Sequence, residues 1–231
     1  PKLATTFSAA GLTGEETAVL YEGGANTGFG PACRGYLALS QLGHPRVKVL
    51  NGGYRSWLDA GLPPSVEAPC PVPSRFPADA TGGVLVGKET VLAEAVERHD
   101  AVLLDVRDED EWRGATSSPV DPEYRPRNGR IPGARWIAAS RLMRPEVGGP
   151  AYKLAGEILD ECLTVGITPD TPVIVYCFSG VRAASSYLLL KEAGIENVRV
   201  YYGSWDEWSR DPALPVEAGP PGRPCLRPRP A

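Results

Sequence analysis

No stretch of this sequence is apolar for long enough to cross a bilayer, and its first residues lack the pattern of a secretory leader. Neither a membrane anchor nor export is expected from it, and a cytoplasmic setting is the default expectation. Positive charge is also in short supply: 24 Lys and Arg against 28 Asp and Glu leave a net charge of -4. A general nucleic-acid binder needs a basic face to displace counterions from phosphates, so nucleic acid is not an expected partner. His44 and His99 are the two histidines, and no CxxC pair occurs. A zinc site is therefore not expected, and neither histidine reads as a general base. The cysteines (Cys33, Cys70, Cys162, Cys177 and Cys225) form an odd, dispersed set that makes a poor disulfide framework. Most of them read as small buried hydrophobes. The single methionine is Met143 and the chain opens on Pro1, so a missing or processed N-terminal segment is expected.

What remains is the composition of an ordinary globular protein, 42% hydrophobic and 23% charged, in a chain of 231 residues that suits one large or two modest domains. An internal repeat points to two. Val47-Lys48-Val49-Leu50-Asn51-Gly52-Gly53-Tyr54-Arg55-Ser56-Trp57 matches Val198-Arg199-Val200-Tyr201-Tyr202-Gly203-Ser204-Trp205-Asp206-Glu207-Trp208, with 151 positions between partners. The same offset pairs Tyr36 with Tyr187 and Ala32 with Ala183, whereas Tyr21 and Tyr176, each closing an apolar run, are 155 apart. The loop after Tyr21 is thus four residues longer than its counterpart. The expected organisation is an incomplete first unit over 1–61, a proline-rich linker over 62–83, a full unit over 84–217 and a disordered Pro/Arg/Gly-rich tail over 218–231.

In the second unit short apolar runs alternate with segments of helical spacing. Strands are predicted at 84–86, 101–104, 134–137, 172–176 and 198–201, and helices at 88–98, 109–113, 152–165 and 182–193. Such alternation implies an α/β fold with a mainly parallel sheet covered on both faces. The first unit lacks the opening elements and is expected to expose a sheet edge.

Ligand sites in parallel sheets sit at the carboxyl ends of strands. Cys177 directly follows the strand ending at Tyr176, and a helix begins near Arg182. A turn this tight aims successive N–H groups of Phe178, Ser179, Gly180, Val181 and Arg182 inward as an anion-binding nest, and both nest and Arg182 favour the thiolate. Gly180 supplies the sharp turn, and Arg182 is expected to grip an anionic substrate with two parallel hydrogen bonds. Asp105 reads either as a group that orients the loop or as a strand-end cap. Arg107 reads either as positive potential at the site mouth or as a partner of Glu109 or Glu111. Trp205 reads as pocket lining or core, and Trp208 as core.

The run Cys177-Phe178-Ser179-Gly180-Val181-Arg182 resembles the active-site loop of the rhodanese family. Gly129-Arg130-Ile131-Pro132-Gly133-Ala134, Leu104-Asp105-Val106-Arg107 and Tyr201–Trp208 are similar to three further motifs of its tandem-domain members. The resemblance implies two rhodanese-like domains, the first incomplete. It also implies a sulfurtransferase in which Cys177 takes a sulfane sulfur from a small anionic donor and passes it to cyanide or a thiol. No metal or organic cofactor is implied. Thiosulfate is the first donor expected; 3-mercaptopyruvate and a non-catalytic binding module are the alternatives. Four residues separate Cys177 from Arg182, one fewer than related cysteine phosphatases use to cradle a phosphoryl group. Substrate contacts are expected from Phe178, Ser179, Gly180, Val181, Asp105 and Arg107. Glu111 falls where some thiosulfate-using members carry Arg, and Glu22 stands where the first unit would need its cysteine.

Overall fold

The computed structural model describes residues 2–23, 30–77, 83–118, 127–145 and 150–219. The first unit holds α1 (Lys2–Ala9), β1 (Ala18–Leu20), α2 (Gly30–Gln41), β2 (Val47–Val49) and α3 (Gly53–Asp59). The second holds β3 (Leu85–Val86), α4 (Lys88–Thr90), β4 (Val102–Asp105), α5 (Glu109–Arg113), β5 (Arg135–Trp136), β6 (Met143–Arg144) and β7 (Ala151–Tyr152). It closes with α6 (Ala155–Thr164), β8 (Val173–Tyr176), α7 (Val181–Glu192), β9 (Val198–Tyr201) and α8 (Ser204–Arg210).

The main sheet has five strands in the order β3-β9-β8-β4-β5, and every pairing is parallel. The three central strands, β4, β8 and β9, bury both faces, as the two-residue period of a pleated strand requires when each face meets helices. Leu104, Val173, Val175, Val198 and Val200 point into a core shared with α6 and α7. Leu103, Ile174, Tyr176 and Tyr201 point the other way, to Val91 and Ala95 beyond α4 and to Trp205 and Trp208 of α8. Full burial of such side chains contributes about 1.5–3 kcal/mol each, so these two layers hold the β8–α7 turn from both sides.

The repeat reappears as structure. Elements α2 and α7, β2 and the start of β9, and α3 and α8 begin at residues 151 apart. Strands β1 and β2 pair in parallel, as β8 and β9 do. The equivalent helices α2 and α7 pack on each other, and the equivalent residues Tyr36 and Tyr187 meet with ring centroids 5.9 Å apart. A Cβ added to Gly30 would lie 2.6 Å from Val181, its own counterpart. Such self-matching contacts are what a local two-fold relation produces. Val19 and Tyr21 are exposed along β1.

Three sequence expectations change. Lys2–Ala9 is helical, which the spacing did not indicate. The helix expected over 88–98 opens into a π-helical turn at Val91–Glu97, which keeps Val91 and Ala95 buried. The linker is pinned rather than loose at its end: Phe76 is buried, its N–H donates to Ser8 Oγ at 3.0 Å, and its ring meets Phe7 and His44. The tail call and Cys225 lie almost wholly or wholly outside the described residues, as do Gly24, Ala25 and Asn26 of the first unit's loop. No described helix is long and apolar enough to cross a membrane.

Candidate active site

Cys177 leaves the carboxyl end of β8 at the middle of the sheet, with β4 and β9 on either side. The thiol is nearly closed off, and the Gly180 N–H donates to Sγ at 3.1 Å. Phe178 is half-buried, Ser179 exposed and Val181 half-buried.

The segment after β9 shapes the loop. The N–H groups of Trp205 and Asp206 donate to the carbonyls of Cys177 and Phe178, at 3.0 and 2.9 Å. A trans peptide points its C=O and N–H in opposite directions. Holding these two carbonyls on the α8 side therefore turns the Phe178 and Ser179 N–H groups toward the loop interior. Ser204 adds a bridge: its hydroxyl donates to the Tyr201 carbonyl at 2.9 Å and accepts from the Cys177 N–H at 3.2 Å. It does so from a backbone at φ 57, a conformation that costs a non-glycine residue about 1–3 kcal/mol. Sequence reasoning did not single out Ser204. The available signal was the repeat, which places Gly53 at the matching position, itself at φ 62.

The first unit repeats this architecture without the thiol. The Tyr54 N–H donates to the Glu22 carbonyl at 2.8 Å, as the Trp205 N–H does to that of Cys177. Glu22 thus occupies the backbone position of Cys177, and a carboxylate cannot carry sulfane sulfur. Cys33 lies elsewhere, buried on α2 with Sγ 3.2 Å from the Tyr152 hydroxyl. Burial pushes the Cys33 thiol up to about 12 and the Cys162 thiol up to about 11, so neither is a ready nucleophile.

Gly180 caps the start of α7 at φ 83, and a Cβ there would lie 2.8 Å from both the ring and the carbonyl oxygen of Tyr202. Gly180→Ala is expected to cost about 1–3 kcal/mol through the left-handed backbone and this contact. Any sulfur-transfer turnover should fall at least about tenfold, because the donor to Sγ moves. Thermal melts beside turnover check this, and unchanged turnover would remove the loop geometry from the account.

Asp105 and Arg107, expected to contact substrate, are both buried, and neither side chain reaches solvent. Arg107 pairs with Asp105 rather than with Glu109 or Glu111: Nε lies 3.0 Å from each carboxylate oxygen and Nη2 2.6 Å from Oδ2. Arg107 Nη2 also donates to the Gly129 carbonyl, and its guanidinium lies 4.7 Å from the Trp205 ring centroid. Burial alone would lower the basicity of Arg107, but the Asp105 carboxylate outweighs it and raises it. The Tyr176 hydroxyl donates to Asp105 Oδ2 at 2.6 Å; burial, then the Asp105 charge, push that phenol well above its ordinary range. Asp105 and Arg107 therefore anchor the residue before Cys177 and the ring of Trp205 after the loop.

Arg182 departs from expectation as well. Its guanidinium is already clasped by Glu111, with Nη1 to Oε2 at 2.7 Å and Nη2 to Oε1 at 3.0 Å, and by Asp108 at 3.0 Å. Burial would lower the basicity of Arg182, yet the bonds and charge of Glu111 raise it. Glu111 is itself fixed, 1% exposed and accepting from the Asp108 N–H at the start of α5. An incoming anion must share or displace this pair. Arg130, in contrast, is structural: buried, paired with Glu217 and 4.6 Å from the Trp112 ring centroid. Trp205 and Trp208 are both core.

A cleft of about 450 Å³ opens beside Arg182 and follows α7. Among the described residues no three His, Cys, Asp or Glu side chains converge as a metal site would require.

The family model for the rhodanese-like domain matches residues 89–211. The sulfur carrier protein TtuD of Thermus thermophilus is 31% identical over 90% of this chain and 73% of its own length. Thiosulfate sulfurtransferase of Azotobacter vinelandii is 29% identical over 94% of this chain and 75% of its own. Among solved structures, EanB in complex with ergothioneine superposes with a TM-score of 0.83 at 28% identity, covering 96% of this chain. This chain spans 55% of that one.

Proposed function

The chain belongs to the rhodanese-like domain family, and on that premise we propose that it is a sulfurtransferase working through a Cys177 persulfide. The Cys177 thiolate attacks the outer sulfur of thiosulfate. The sulfur–sulfur bond of the donor breaks and sulfite leaves with the bonding pair. Cyanide or a thiol then attacks the terminal sulfur of the persulfide, and Cys177 departs as thiolate. The observation that carries this reading is the setting of Sγ, at a strand end ahead of a helix, where the Gly180 N–H already donates to it at 3.1 Å. Such preorganised donors stabilise the anion at both stages without reorganising. The names of relatives such as thiosulfate sulfurtransferase support thiosulfate as donor.

A second donor, 3-mercaptopyruvate, is favoured by one feature. Arg182 is bridged by Glu111 and Asp108, so the mouth offers less free positive charge to a dianion than an unpaired arginine would. A donor with a single negative charge loses less there. The repeated elements further support reading residues 1–61 as a non-catalytic rhodanese-like unit and 84–217 as the catalytic one, joined by 62–83 and followed by the tail 218–231.

Incubation with thiosulfate, followed by non-reducing peptide mass mapping, should add the mass of one sulfur atom to the Cys177 peptide. The Cys33 and Cys162 peptides should stay unchanged, because burial keeps those thiols protonated. Sulfur on Cys33 or Cys162 but not on Cys177 would sink the assignment. No adduct from either donor would leave the family module as a binding unit.

A further inference from the structure

The cleft beside Arg182 is not needed for cyanide or thiosulfate. It is lined on one side by Val181 and Leu189 of α7 and on the other by Met143 and Tyr152. These α7 residues are eight positions apart, so the cleft runs about 12 Å from the end of the active-site loop. Its volume is that of a site for a small organic molecule. Ser186 lines it, is 1% exposed, and its hydroxyl oxygen has no hydrogen-bond partner among the described residues. A buried hydroxyl in that state is unfavourable unless something supplies a partner. At the mouth, Asp108, 61% exposed, pairs with the Arg182 guanidinium, which the buried Glu111 behind it also holds. That balance disfavours an anionic tail.

We infer that this cleft is the acceptor subsite for an organic thiol bearing a neutral or cationic, hydrogen-bonding tail, an inference that rests on the Cys177 persulfide reading. The tail lies along α7, bonds the Ser186 hydroxyl and covers Leu189 and Met143. This presents the thiol to the sulfur on Cys177. The acceptor thiolate attacks the terminal sulfur, the enzyme's sulfur–sulfur bond breaks, and Cys177 keeps the bonding pair. The acceptor becomes a persulfide, with no external oxidant or reductant.

The test uses the full chain loaded with sulfur from thiosulfate and freed of excess donor. Discharge is followed with three probes: cyanide, 3-mercaptopropionate and the neutral, amide-bearing thiol pantetheine. At equal thiolate concentration, pantetheine should exceed 3-mercaptopropionate about tenfold. Ser140→Trp, at an exposed position on the cleft rim, should lower the pantetheine-to-cyanide rate ratio about tenfold by blocking the cleft. Ser186→Ala should lower it about threefold without loss of thermal stability, because the hydroxyl it removes bonds nothing among the described residues. Unchanged ratios in both variants, with sulfur loaded and discharged normally, would overturn the subsite alone. A chain that never loads sulfur would overturn the persulfide reading and this one together.

Discussion

Cys177→Ser should reduce thiocyanate formation from thiosulfate and cyanide to background, a loss on the order of a thousandfold or more. Serine offers no sulfur to carry the transferred atom, and its hydroxyl is a far weaker nucleophile than a thiolate at neutral pH. The fold should survive. Cys177 makes one side-chain contact of note, accepting from the Gly180 N–H, and serine can accept the same bond. A melting curve close to that of the native chain, together with lost turnover, therefore separates chemistry from stability. Turnover retained by the serine variant would show that the sulfur never resides on this residue. Cys33, the other cysteine beside the interface of the two units, is no substitute, since its thiol stays protonated at any physiological pH.

The second large effect is expected at Arg107. Replacing it with methionine keeps most of the side-chain volume and removes the cation, leaving the Asp105 carboxylate in the core with the Tyr176 hydroxyl and the backbone N–H of residue 107. Breaking one partner out of a buried pair costs about 3–5 kcal/mol, against a total stability of about 5–15 kcal/mol for a typical domain. Urea denaturation at neutral pH should show a deficit of that size. A cost below about 1 kcal/mol would mean that the pair contributes little beyond its own desolvation. Activity should fall in parallel, because Asp105 and Arg107 grip Tyr176 and Trp205, the residues that flank the loop in space.

The readable and unreadable parts of this protein divide along a physical line. The strand–helix alternation, the mainly parallel sheet and the turn from Tyr176 through Cys177 to α7 were legible because each depends on neighbours in sequence. Burial of alternate residues marks Val173–Tyr176 as a strand, and a cysteine directly after a buried strand followed by glycine marks the loop. The repeat was legible for the same reason, since a fixed offset needs no coordinates, and it located Glu22 as the silent counterpart of Cys177. Charge placement was not legible. Arg182 looked like a free fork because Glu111 lies 71 residues away, and nothing local brings α5 against the start of α7. Asp105 read as a loop-orienting group or a strand-end cap, and Arg107 as charge at the site mouth or a partner of Glu109 or Glu111. Their burial follows from Tyr176, Trp205 and the Gly129 carbonyl closing over them from three distant segments. Ser204 was passed over because its role exists only where β9 and α8 meet the loop. Sequence by itself determined which backbone would turn and where in that turn the cysteine would sit. Tertiary structure alone decided which charges face solvent and which cancel one another, because ion pairing and burial are set by separation in space and the chain encodes that separation only through the finished fold.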